Sequence, residues 1–127
     1  MRIEHVAIWT RDLERLKSFY ETYFKVTAGA KYASTKRPFE SYFLSFASGA
    51  RLELMHLPDL ADADRSRSTI GLAHLALSTG SRETVNALTR RLRADGYTIV
   101  DGPRDTGDGY YESVVLDPDG NRIELTV

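Results

Sequence analysis

The chain has 127 residues, 42% of them hydrophobic, no cysteine and a formal net charge of −1. That is enough apolar material for a core in one compact unit and too much for a disordered chain. The balanced charge excludes the electrostatic footprint of a nucleic-acid or anionic-membrane binder, and the missing cysteines exclude disulfides and thiolate metal sites. Met1-Arg2 leads straight into an alternating apolar stretch without the features of a signal peptide, and no apolar run approaches the roughly 20 residues of a membrane span. A soluble, cytoplasmic protein is expected, with neither nucleic acid nor membrane as a partner.

Residues 3–10, IEHVAIWT, read as a strand with Ile3, His5, Ala7 and Trp9 on one face. Asp12 is placed to cap a helix whose stripe is Leu13, Leu16, Tyr20 and Tyr23, with Phe19 and Phe24 widening it, ending near Lys25. A strand is expected within 28–34, then a basic loop at Lys36-Arg37-Pro38. Residues 41–47 and 51–57 read as two strands joined by a turn at Ser48-Gly49. On the second of these, Arg51, Glu53 and Met55 share a face, and His56 lies on the other and is read as no ligand. Residues 58–70 are polar and lack alternation, which marks a linker whose charges from Asp62 to Arg67 are solvated.

Residues 71–78, GLAHLALS, form the next expected strand, with His74, Ala76 and Ser78 on one face. Ser81 and Glu83 open a helix carrying Val85, Leu88 and Leu92, which Gly96 closes. A short strand is expected at 97–100, a glycine-rich loop at 102–109, and strands at 111–116 and 121–127 around the turn Asp117-Pro118-Asp119-Gly120. Gly107 and Gly109 alone are too weak a pattern for a phosphate loop. Tyr110 and Tyr111 follow that loop and read as strand aromatics or a rim.

The two halves repeat each other. His5 and His74 sit at like places in similar strands, and each half ends in a Glu between apolar neighbours, Leu52-Glu53-Leu54 and Ile123-Glu124-Leu125. The His-to-Glu separations are 48 and 50 residues, in a repeat of about 70 residues. The order strand, helix, strand, strand, strand in each half predicts an α+β protein of two βαβββ modules, 1–57 and 71–127, in one domain. Each sheet would have a helix on one face, and the open faces would curve round a shared hollow as a mixed-sheet cup.

A carboxylate inside an apolar strand is costly unless paired or bound to a cation. A single strand histidine or glutamate is ordinarily a surface or satisfied core residue; four obeying one repeat form a pattern. Two imidazoles and two carboxylates, His5, Glu53, His74 and Glu124, suit a divalent ion such as Zn, Ni, Co, Mn or Fe. Such an ion acts as a Lewis acid on a carbonyl, with a carboxylate at its edge as general base.

The segments IEHVAIWTRDLERLKSFYETYF, GLAHLALS and LDPDGNRIEL resemble the vicinal oxygen chelate superfamily, the glyoxalase/bleomycin-resistance/dioxygenase fold, over the whole chain. The resemblance implies paired modules forming a cup round a metal held by His5, Glu53, His74 and Glu124. Ligands at all four positions are similar to the glyoxalase I-like arrangement. Thiol transferases and extradiol dioxygenases of the superfamily use two His and one Glu, and bleomycin-binding members lack the set. The implied activity is a lyase or isomerase in which a glutamate, Glu53 or Glu124, moves a proton between adjacent carbons of a small substrate. Glutathione or another thiol is the implied cosubstrate, for which Arg11, Lys36, Arg37 and Arg122 are candidates by charge alone. A homodimer with sites shared between subunits is implied for a chain of this length. The alternatives are a binding or resistance protein using the same cup, and a metal-dependent thiol transferase or dioxygenase.

Overall fold

The computed structural model describes residues 1–65 and 68–127. Ser66 and Arg67, the end of the expected linker charges, lie outside the described residues. The chain divides into two compact units, Met1–Ala63 and Asp64–Val127.

The first unit runs β1 (His5–Trp9), α1 (Leu13–Phe24), β2 (Thr27–Ala28), β3 (Tyr32–Ala33), β4 (Glu40–Ser45) and β5 (Arg51–His56). Its sheet has the order β1-β5-β4-β2, with β3 also paired to β4. β1 is parallel to β5, and β4 is antiparallel to it, so the sheet is mixed. The second unit runs β6 (Leu75–Ser78), α2 (Arg82–Ala94), β7 (Ile99–Asp105), β8 (Tyr111–Leu116) and β9 (Arg122–Thr126), in the order β6-β9-β8-β7. β6 is parallel to β9 and β8 antiparallel to it. The same plan is thus built twice, as the repeat requires. Among the described residues no helix is long and apolar enough to cross a membrane.

Local chemistry sets the helices. The Asp12 carboxylate accepts from the backbone N of Arg15, and the Ser81 hydroxyl from that of Thr84, each satisfying an amide that the helix leaves open. α1 ends where Lys25 enters the left-handed region at φ 54°. α1 buries Leu13, Leu16, Phe19 and Tyr20 on the sheet face carrying Leu44, Leu52 and Leu54. α2 buries Val85, Thr89 and Leu92 on the face carrying Val115, Ile123 and Leu125. Each fully buried leucine or valine side chain contributes about 1.5–3 kcal/mol, so these two small cores fix which face each helix covers. The opposite face of each sheet carries the residues singled out by the repeat.

Three departures from the sequence reading go beyond a residue or two at a strand end. The strand expected at 71–78 starts only at Leu75, because its partner β9 offers pairing from Ile123 onward and Gly71 takes φ 137°. The strand expected within 28–34 is two short pieces, each paired separately to β4. The second strand of the second unit, β7, runs to Asp105, through Gly102 and Pro103, which read as loop residues. Its register against β8 shifts twice, and edge strands accommodate Gly and Pro at such bulges. Only glycine fits at position 102: φ is 76°, and a Cβ there would lie 2.5 Å from the Glu112 carbonyl oxygen.

Candidate functional site

The strand register brings the singled-out residues together in pairs. In the first unit His5 lies opposite Arg51 and Ala7 opposite Glu53, so His5 and Glu53 are diagonal neighbours on the face α1 leaves open. His5 Nε2 is 3.8 Å from Glu53 Oε2. In the second unit Ala76 lies opposite Glu124, and His74 immediately precedes β6. His74 Nε2 is 3.4 Å from Glu124 Oε2. The same two atoms face each other in both units. The glutamate side chains are mostly covered, 13% and 16% exposed, while the imidazoles stand open at 40% and 44%. Among the described residues no group of three or more His, Asp or Glu that could hold a metal ion is found, so each pair stands as two donors.

The surroundings of the pairs differ. In the first unit Phe43 lies opposite Glu53, and its ring meets His5 edge-on at 5.3 Å. The Arg51 guanidinium lies over Phe43 at 4.2 Å and donates to Glu4, whose other oxygen is 2.5 Å from His5 Nδ1. The His5 and Arg51 hydrogen bonds hold the Glu4 carboxyl below the usual glutamate range. Trp9 is 47% exposed on the same face, edge-on to Phe39. In the second unit Val114 lies opposite Glu124, and Glu112, two residues along β8, faces the same way. Burial, and then the nearby Glu124 carboxylate, push the Glu112 carboxyl up, against the opposing pull of Arg104. Arg104 lies 3.9 Å from Glu112 and also binds Asp101.

Other sequence candidates fall elsewhere. His56 Nδ1 is 2.9 Å from the Thr10 carbonyl oxygen, to which it donates, in keeping with its reading as no ligand. It borders a cavity of about 320 Å³ shared with Arg37, Phe39 and Glu40. Arg11 binds the Leu60 carbonyl and Asp62, a local role. Tyr111 donates to Asn86 beneath the Arg82 guanidinium, which places it on the helix side, and Tyr110 is exposed. Arg122, exposed, does share the face of Glu124. Glu4 and Glu112 were missed by the sequence reading. Alternation from Val114, opposite Glu124 once the turn at Asp117–Gly120 sets the register, would have found Glu112; nothing in the local pattern marks Glu4.

Comparison with known proteins bears on the whole chain. The family described as Glyoxalase/Bleomycin resistance protein/Dioxygenase superfamily matches residues 2–125. An uncharacterized protein of Bacillus subtilis, YqjT, is 25% identical over 97% of this chain and 96% of its own length. Among solved structures, a glyoxalase I mutant of Zea mays aligns with TM-score 0.79 at 23% identity, over 98% of this chain and 44% of that one. The chain therefore spans less than half of the maize protein. The trypanothione-dependent glyoxalase I of Leishmania major aligns with TM-score 0.77 at 24% identity, over 99% of this chain and 86% of its own. At these identities the structural likenesses show the fold.

Proposed function

The chain belongs to the Glyoxalase/Bleomycin resistance protein/Dioxygenase superfamily, and on that premise we propose that it is a metal-dependent lyase or isomerase of glyoxalase I type. The observation that carries this reading is the repeated pairing of an imidazole Nε2 with a carboxylate Oε2, at 3.8 Å and 3.4 Å, on the uncovered face of each sheet. The donor chemistry fits a divalent ion: two nitrogens and two oxygens, with no thiolate in the chain. His5, Glu53, His74 and Glu124 would hold it. When bound, the ion supplies Lewis-acid polarisation of the substrate's oxygens.

The proton chemistry falls to the glutamates. Glu53 and Glu124 are largely shielded from water by their strands, so a proton taken up there is delivered rather than lost to solvent. One carboxylate accepts the proton as a substrate C–H bond breaks, and gives it back to the adjacent carbon. The sum is an isomerisation with no net redox change. The substrate class is a small molecule with neighbouring oxygens, such as the hemithioacetal of methylglyoxal and glutathione or another thiol. A homodimer in the cytoplasm completes the proposal.

A second reading is a binding or resistance protein without catalysis. The half-exposed aromatic Trp9, with Phe43 and Met55 on the same face, favours capture of a flat apolar molecule. Metal titration of the purified protein and a methylglyoxal–glutathione assay separate the two. Uptake of Zn²⁺, Ni²⁺ or Co²⁺, with Glu53→Gln and Glu124→Gln each lowering turnover by about 10²–10⁴-fold, supports the isomerase. No uptake and no turnover, with aromatic ligands binding near Trp9, supports the binder and removes the mechanism.

A further inference from the structure

We propose that Glu4 is a positioning residue for His5, fixing the ring in the tautomer that carries its hydrogen on Nδ1 and so turning a bare Nε2 lone pair toward Glu53. The inference rests on the metal-binding reading above for its purpose, and on geometry within the first unit for its content.

An ionised carboxylate accepts and cannot donate. Glu4 Oε2 lies 2.5 Å from His5 Nδ1, so the hydrogen between them belongs to the ring. The carboxylate is itself held: Arg51 Nε donates to Glu4 Oε1 at 2.9 Å, Arg51 Nη2 reaches the same oxygen, and the Arg51 backbone N donates to the Glu4 carbonyl at 3.0 Å. Phe43, under the Arg51 guanidinium, packs edge-on against the His5 ring with an interplanar angle of 88°. In the neutral imidazole the second nitrogen then has no hydrogen. Nε2 and Glu53 Oε2 are two acceptors 3.8 Å apart, too far for a hydrogen bond between them and suited to a cation that both can reach. Partners of this kind on the far nitrogen of a ligating histidine set ring orientation and basicity.

Among the described residues the second unit lacks the device. Ala73 precedes His74 where Glu4 precedes His5, and Val114 stands opposite Glu124 where Phe43 stands opposite Glu53. Among the described residues His74 Nδ1 has no hydrogen-bonded partner. His5 is therefore the prepared ligand and His74 the adaptable one.

The test uses the full-length, metal-free chain. Long-range ¹H–¹⁵N correlation spectra of the imidazoles, at about pH 8 where an ordinary ring is neutral, report each tautomer directly. His5 is expected almost wholly Nδ1-protonated and His74 mixed. Glu4→Ala should move His5 to the His74 pattern with the amide spectrum otherwise preserved, and Glu4→Gln, whose amide oxygen still accepts, should restore it. Calorimetric titration with Zn²⁺ should weaken about 10–100-fold in Glu4→Ala and less in Glu4→Gln. An Nε2-protonated His5 in the parent protein, or a His5 tautomer unmoved by Glu4→Ala, overturns the assignment. Failure of the parent protein to take up Zn²⁺ at all overturns the metal reading instead, so the two failures are told apart.

Discussion

Around its His–Glu pair the first unit places Trp9, Phe43 and Met55; at the matching register positions the second places Ser78, Val114 and Thr126. Ser41, opposite Met55, is answered by Glu112, opposite Thr126. The contrast continues behind the sheets. Tyr20 and Thr89 each lie eight residues after their helix cap, and Tyr42 and Ser113 face the matching leucines, Leu54 and Leu125. One unit fills this layer with two tyrosines, the other with two small hydroxyls. What the repeat holds fixed is backbone register and the His–Glu diagonal; what it leaves free is the volume and polarity of everything else. An aromatic, apolar face and a carboxylate-bearing face are the two products of that freedom.

The core difference can be broken first where its effect is largest. Tyr20 is fully buried against Phe19 and Phe24. Tyr20→Ala should cost about 3–5 kcal/mol, the range for emptying a large aromatic site. Val85→Ala, at an equally buried position of α2, should cost about 2 kcal/mol. Denaturant titration measures both totals, and amide exchange assigns each loss to its own unit. Equal costs would mean that the aromatic core is loosely packed and that the contrast between the units is one of composition alone.

These two cores also show how far a sequence can be read. The helices were legible because stripe and cap agree: Asp12 with Leu13, Leu16 and Tyr20, and Ser81 with Val85 and Leu92. The His–Glu diagonal was legible because duplication doubles a signal too weak to trust once. Glu4 was not, since it precedes β1 and its carboxylate is held by Arg51, a partner brought near only by the parallel pairing of β1 with β5. The strand through Gly102 and Pro103 was not, since Gly and Pro are turn residues in local terms and only the bulged pairing to β8 absorbs them. Long-range register decides such cases, and local pattern does not carry it.

A middle-sized effect sharpens the polar side of the comparison. The Thr89 hydroxyl donates to the Val85 carbonyl at 2.7 Å and lies 3.0 Å from the Ser113 hydroxyl, both residues fully buried. Its counterpart layer sends the Tyr42 hydroxyl outward to Glu14 at 2.8 Å. Thr89→Val keeps the shape but strips Ser113 of this partner, at about 1–3 kcal/mol. Ser113→Ala alone should cost less, because Thr89 keeps the Val85 carbonyl, and the double variant should recover part of the Thr89→Val loss. A double-mutant cycle reads the coupling; strict additivity would show that the two hydroxyls do not depend on each other.

The smallest effect concerns the turns that bring the glutamate strands back. The first unit uses Ala47-Ser48-Gly49; the second uses Asp117, which is 4% exposed. Its Oδ1 accepts from the backbone N of Asp119 at 2.9 Å and of Asn121 at 2.8 Å, and Oδ2 accepts from the Asn121 side chain. Burial raises the carboxyl above the usual aspartate range, and those hydrogen bonds only partly oppose it. A raised acid binds its proton more readily in the folded state. Its contribution to stability therefore falls as pH rises from the unfolded value of about 3.9 through the folded one. Asp117→Asn keeps an oxygen for the two backbone N–H groups, gives up the Asn121 side-chain bond to Oδ2 in exchange for removing a buried charge, and removes the titration. It should change stability at neutral pH by within about 1 kcal/mol and flatten the acid-side slope in the second unit alone, read by amide exchange across a pH series. A slope that survives Asp117→Asn, or one that flattens equally in the first unit, would place the titrating group elsewhere and leave the two turns equivalent.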